Sequence, residues 1–193
     1  MKKLRITFIF LLFFGVNLIS EAQLIPDVPR GIRLPRMSDK TMDEAYDAPS
    51  KSLVGTWVES DSKTEICFKA DGSAWIKTYA EDSNVFAGVV YGTQVTGTWK
   101  KKGNDLKILF RPANTKYLYD KEAYANLSTR LKKEFDSAIA RGMKTIRSLS
   151  GTDDVSYYIV YIDDKFICLR EEIVMGYYIY HWFVNEKYLE QFK

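Results

Sequence analysis

The stretch that opens Gly55-Thr56-Trp57 and closes in Ile66-Cys67-Phe68, 14 residues long, recurs as one that opens Gly97-Thr98-Trp99 and closes in Ile108-Leu109-Phe110 over the same 14 residues. Each copy reads as one hairpin, with a Trp near the start of its first strand and an Ile-x-Phe pair on the return. Side chains alternate faces along a strand, so Ile66 and Phe68 share a face, as do Ile108 and Phe110. The Gly two residues before each Trp lies on the Trp face and leaves room for close backbone approach. Two copies are too few for a propeller, whose blades number at least four. The repeat therefore marks two sides of one barrel.

Strand signals continue on both sides of the repeat. Leu53–Glu59, Thr64–Lys69 and Ser73–Tyr79 are β-rich, with Asp71-Gly72 as a tight turn. Val95–Lys101 and Asp105–Arg111 flank the turn Gly103-Asn104. Val155–Ile162, Lys165–Glu171 and Val174–Val184 follow, the first two joined by Asp163-Asp164. This predicts eight strands in an antiparallel meander. The segment Ala80–Gln94, with Gly88 and Gly92, is the candidate flap. Between Tyr117 and Leu149 the period changes: Tyr124, Leu127, Leu131, Phe135, Ala138, Ile139, Met143 and Ile146 recur every three or four residues. This predicts an amphipathic helix, or two broken near Gly142, inserted over 117–149. Its polar side is rich in Lys and Arg, which suits an anionic membrane surface, but a neighbouring sheet gives the apolar stripe something to cover.

Upstream of Leu53 the composition is different. Residues 23–52 hold Pro26, Pro29, Pro35 and Pro49 among charged side chains and read as a proline-rich extended arm. Residues 1–22 combine Lys2, Lys3 and Arg5 with the 14-residue apolar run Ile6–Ile19 and a small-residue cleavage site Ser20-Glu21-Ala22, the pattern of a secretory signal peptide. The run is shorter than the roughly 20 residues that cross a bilayer, so no transmembrane segment is expected after cleavage. The first Cys is Cys67, which excludes a lipid-modified N-terminal Cys. An exported protein, periplasmic or secreted and not a lipoprotein, is expected, with its barrel domain over 53–193. The formal charge of +3 falls to +1 once Lys2, Lys3, Arg5 and Glu21 are removed. A nearly neutral mature chain offers no electrostatic case for nucleic acid.

The Gly-x-Trp strand at Gly55–Trp57, the Phe68-Lys69-Ala70-Asp71-Gly72 hairpin and the second Gly-x-Trp at Gly97–Trp99, in that order, resemble the small exported bacterial lipocalin-like domains of the calycin group. The resemblance covers residues 53–110 well and the remainder by strand count. It implies a mainly β protein, an antiparallel eight-stranded lipocalin-like barrel with the inserted amphipathic helical segment, binding a small apolar or amphipathic molecule inside. The implied interior residues are Trp57, Phe68, Trp99, Phe110, Tyr161, Tyr177 and His181, with Tyr157, Ile179 and Phe183 on the same parity as the later ones. Better-known lipocalins stack a late Arg on the first-strand Trp, and no Arg follows Arg170 here. The alternative is a filled barrel serving as a non-catalytic interaction module, touching a protein or envelope partner through the arm and the basic helix.

Chemistry is sparse in this composition. The one His, His181, lies mid-strand among aromatics; it is a candidate haem ligand only by position, and no second motif supports a cofactor. No His or Cys pair has zinc spacing. The pairs Asp153-Asp154 and Asp163-Asp164 fit turn chemistry as well as Ca²⁺. Glu59, Glu65, Glu171 and Glu172 are candidate paired carboxylates, yet no nucleophile motif accompanies them, so no enzyme is expected. Cys67 and Cys168 could form one disulfide in an oxidising compartment or remain buried thiols.

Overall fold

The computed structural model describes residues 33–35, 51–60, 64–81, 86, 88–148, 153–174 and 176–192. The signal segment 1–22 and most of the arm 23–52 lie outside these. Among the described residues nine strands and two α-helices follow one another: β1 (Gly55–Glu59), β2 (Thr64–Phe68), β3 (Ser73–Glu81), β4 (Val90–Lys102), β5 (Asp105–Phe110), β6 (Lys116–Tyr119), α1 (Lys121–Ala125), α2 (Thr129–Ser148), β7 (Asp153–Ile162), β8 (Phe166–Val174) and β9 (Tyr177–Asn185). A 3-10 turn over Glu186–Phe192 ends the described chain.

All pairings are antiparallel, and eight strands close into a barrel in the cyclic order β1-β2-β3-β4-β5-β7-β8-β9. The repeat is preserved in the ladder. Gly55 faces Phe68 and Trp57 faces Ile66 across β1 and β2; Gly97 faces Phe110 and Trp99 faces Ile108 across β4 and β5. At Gly97 a Cβ would stand 2.2 Å from the Leu109 carbonyl oxygen, so the close approach needs a residue without a side chain. The Asp71-Gly72 turn forms as expected, Gly72 taking φ +80° and the Asp71 carboxylate accepting from the Ser73 N–H and hydroxyl.

The ninth strand, β6, hangs on the first half of β4, with Tyr117 opposite Thr93 and Tyr119 opposite Tyr91. It occupies the start of the segment expected to be helical. The proposed flap also differs: β3 and β4 stay paired from Ser73 opposite Thr98 to Glu81 opposite Val90, and Phe86 between them is buried. Because that register is unbroken, Tyr91, Thr93, Val95, Gly97 and Trp99 lie on one face of β4. Val95 belongs to the barrel core, whereas Tyr91 packs with Phe86, Val89, Leu127 and Phe135 beneath the helices. The insertion thus covers the continuation of the barrel's inner face.

Each helix has a local reason to start. The Asp120 carboxylate accepts from the N–H groups of Glu122 and Ala123, and the Ser128 hydroxyl accepts from the Leu131 N–H. The break falls at 126–128, not near Gly142, through which α2 runs uninterrupted. Phe135, 1% exposed, meets the rings of Phe86, Tyr91, Tyr117, Tyr119 and Tyr124 at 5.1 to 6.1 Å. The apolar stripe is used on the sheet, as the sequence spacing predicts. No helix among the described residues is long and apolar enough to cross a membrane.

A third cluster lies outside the barrel wall, where Val58, Phe166, Val184 and Leu189 pack with Leu34 from the arm. Cys67 and Cys168 are free thiols on strands β2 and β8, which β1 and β9 separate. Three interstrand steps of about 4.8 Å exceed the reach of a disulfide, and burial pushes the Cys168 thiol up to about 12.

Candidate functional site

The inward face of the barrel is mostly filled with carbon. Trp57, Phe68, Ile108, Ile159, Ile167 and Leu169 come from five different strands and are at most 1% exposed. Side chains lining a void wide enough for water present surface to it; these present essentially none. Phe110 joins the same core, and half-buried Trp99 packs against it. Both indole N–H groups are satisfied by carbonyls, Trp57 donating to Leu53 at 2.9 Å and Trp99 to Lys69 at 3.0 Å.

Two of the expected interior residues lie elsewhere. Tyr161 was placed inside by counting parity from Tyr157, but the β7–β8 register shifts between Ile159 and Tyr161, so one face becomes the other. Ile162 points into the core instead. Tyr161 packs outside near Trp182 and donates its hydroxyl to Asp163 at 2.6 Å. The Asp163 carboxylate also accepts from the N–H groups of Lys165 and Phe166, which accounts for that Asp pair as turn chemistry. Tyr177 is 74% exposed, because β9 runs past the end of β1 before the chain turns at Gly176.

His181 does face inward, and it brings together residues that composition alone could not pair. Glu59 sits two residues beyond Trp57, Glu171 two beyond Leu169 and His181 two before Phe183, so all three share the inner face. His181 Nδ1 lies 2.7 Å from Glu59 Oε1, and Nε2 lies 3.4 Å from Glu171 Oε2. The three side chains are 18%, 14% and 8% exposed in that order. Burial disfavours the imidazolium, but the two carboxylates outweigh it and raise the His181 pKa to about 9. Glu59 is hydrogen-bonded to Nδ1, while Nε2, buried and without a hydrogen-bond partner among the described residues, lies at ion-pair distance from Glu171, so the three make an ion-paired triad. Among the described residues no group of three or more His, Cys, Asp or Glu side chains is arranged to hold a metal ion. Glu65 stands apart, buried and paired with Lys77 at 2.8 Å.

Of the triad, Glu171 also lines a cleft of about 550 Å³. Tyr157 and Glu171 are the last partners in the β7–β8 ladder. Beyond them β7 continues beside β5, as far as Asp153 opposite Phe110, while β8 continues beside β9, as far as Val174 opposite Tyr177. The strands part, and the cleft opens between Ser156 and Tyr157 on one side and Glu171 and Glu172 on the other. Its outer rim carries Arg170, whose guanidinium lies 4.8 Å from the Tyr158 ring and 4.6 Å from the Tyr178 ring. On the far side Asp154 is paired with Lys107 at 2.6 Å. Tyr157, which lines the cleft, stands edge-on to the His181 ring at 6.0 Å.

Fold and site together define a lipocalin-like antiparallel barrel with a filled interior, a helical cover at one end, a buried ion triad, and a side cleft that shares Glu171 with that triad. No family model and no curated protein matches the chain. Among solved structures it is similar to an uncharacterized protein from Bacteroides eggerthii DSM 20697, with 18% identity, a TM-score of 0.36, and coverage of 69% of this chain and 99% of that one.

Proposed function

We propose that this is an exported, non-catalytic binding protein of the lipocalin-like kind, and that it takes a small amphipathic molecule in the cleft where β7 and β8 part. The carrying observation is the cleft itself: about 550 Å³ of space open to solvent, beside a barrel core with essentially no accessible surface. That volume suits a small ligand. Tyr157, Tyr158, Tyr178 and Ile173 supply apolar and aromatic walls, and Arg170, Ser156 and Glu172 supply polar contacts at the rim. Export rests on the N-terminal signal pattern and the family reading on the Gly-x-Trp hairpins. The filled core also favours a second reading, in which the barrel is a scaffold for contacts with a protein or envelope partner.

Native mass spectrometry of the protein purified from its own envelope tests the first reading. A co-purifying small molecule, retained in Trp99→Phe and lost in Tyr158→Ala and Tyr178→Ala, is expected. No bound mass, together with no rise in melting temperature across fatty acids, aromatic acids and haem, counts for the scaffold reading. A Soret band would move the site to His181.

A further inference from the structure

Strand β9 outruns its neighbour. β1 ends at Glu59 opposite Phe183, and the Ser60 N–H donates to the Trp182 carbonyl at 2.8 Å. Backbone groups alternate between the two edges of an antiparallel strand, so those of Tyr178 and Tyr180 point the same way as the Trp182 carbonyl. No described strand pairs with them on that side. The run Tyr177-Tyr178-Ile179-Tyr180 is uncharged and has no Pro or Gly. Ile173, Tyr177, Tyr178 and Ile179 are 37% to 74% exposed and, with Val54, are the exposed large hydrophobics among the described residues. Sheet edges are ordinarily guarded by lysine, proline or a bulge against pairing with another chain. Along Tyr177–Tyr180 the sequence has neither lysine nor proline, and the irregularity in its ladder, between Glu172 and Val174, lies on β8 and not on this edge.

We propose that this edge joins two copies of the chain, β9 pairing antiparallel with β9 through Tyr177–His181 about a two-fold axis at Ile179. The register follows from the alternation. Residues whose backbone groups face the edge must bond to each other, which sets Tyr178 against the partner's Tyr180 and Ile179 against the partner's Ile179. Tyr177 then faces the partner's His181, so no like charges meet across the axis. The length also fits: the partner's turn at Gly176 comes level with Trp182, where Ser60 already completes the ladder. Among the described residues no strand occupies that position, and the added strand would run in line with β1, reaching as far as the end of β1 at Glu59 and Ser60. Aromatic and β-branched cross-strand pairs of this kind favour the ladder, and a C2 interface uses the same patch twice, as this edge allows.

Sedimentation and cysteine cross-linking of the purified full chain test the proposal. The protein should sediment as a dimer, and Ile179→Lys, which sets two ammonium groups face to face, should give a monomer with an unchanged circular dichroism spectrum. Ile179→Cys should cross-link to its own copy under mild oxidation, since directly opposed, non-hydrogen-bonded positions lie about 4.5 Å apart at Cα. Tyr178→Cys, on the other face, should not cross-link. A wild type that stays monomeric at roughly 100 μM, far above the dissociation constant of a specific dimer, overturns the proposal. So does a dimer that persists in Ile179→Lys or cross-links equally through both cysteines. Cross-linking of Ile179→Cys to a different protein instead would make this edge a site for heterologous strand addition and equally overturn it.

Discussion

The ring of Trp99 stands edge-on to the ring of Phe68 within the barrel core, their centroids 5.4 Å apart and their planes at 66°. Phe68 ends the first copy of the repeated hairpin and Trp99 belongs to the start of the second, so the repeat is interlocked through its own signature residues. Phe68→Ala should cost about 3–5 kcal/mol, because a fully buried ring leaves a cavity behind. A double-mutant cycle with Trp99→Ala should return a coupling of about 0.5–1.5 kcal/mol beyond additivity. Urea unfolding of the four proteins supplies both numbers, and strict additivity would mean that the contact contributes no specific aromatic energy.

His181 should make stability depend on alkaline pH. Its pKa rises from 6.5 to about 9 on folding, so the folded state holds the proton more tightly. The contribution is fully present below pH 6.5 and is lost as pH climbs through 9, leaving Glu59 and Glu171 beside a neutral ring. The linkage is on the order of 3 kcal/mol. Denaturant unfolding between pH 6 and 10 should show this decline, and His181→Gln should flatten it. A wild-type slope equal to that of the variant would mean that the triad does not hold the charge.

Much of this arrangement was legible in alternation alone. Trp57, Ile66, Phe68, Ile108 and Phe110 fall inside because parity survives between turns that Asp71-Gly72 and Gly103-Asn104 define. The same rule carries Glu59, Glu171 and His181 to one face, a signal present in the sequence but visible only once the strands' order round the barrel is known. Tyr161 defeats the rule because a bulge is one unpaired residue with no composition of its own. Tyr177 defeats it differently: parity gives the face but not where the neighbouring strand stops. The β6 strand was hidden because Lys116-Tyr117-Leu118-Tyr119 is too short to separate from the helical period that follows it. The cleft depends on two strands choosing different partners, a long-range outcome that no local pattern encodes.

Tyr117 carries a hydroxyl that is buried among aromatic rings with no hydrogen-bond partner among the described residues. Burial and the neighbouring Tyr91 and Tyr119 push its pKa far up, so it remains a neutral phenol. An unsatisfied buried hydroxyl costs about 1–3 kcal/mol. Tyr117→Phe should therefore leave the protein as stable or more so, by up to about 1 kcal/mol. Thermal melts would decide it, a clear loss of stability indicating that the hydroxyl is satisfied in solution.

Two glycines should respond to alanine with opposite signs. At Gly97 the added methyl would meet the Leu109 carbonyl oxygen at 2.2 Å and the Phe110 Cα at 2.9 Å, both backbone atoms fixed by the β4–β5 ladder. One of the two strands has to move, at a cost of about 1–3 kcal/mol or more. At Gly142, inside α2, the same methyl meets nothing within 4 Å. There alanine only removes backbone freedom from the unfolded chain, a gain of about 0.5–1 kcal/mol. Urea midpoints of Gly97→Ala and Gly142→Ala should move in opposite directions. A Gly97→Ala midpoint equal to wild type would mean that the second Gly-Thr-Trp strand tolerates a side chain on its Trp face, and that the glycine of the repeat is not needed for close approach.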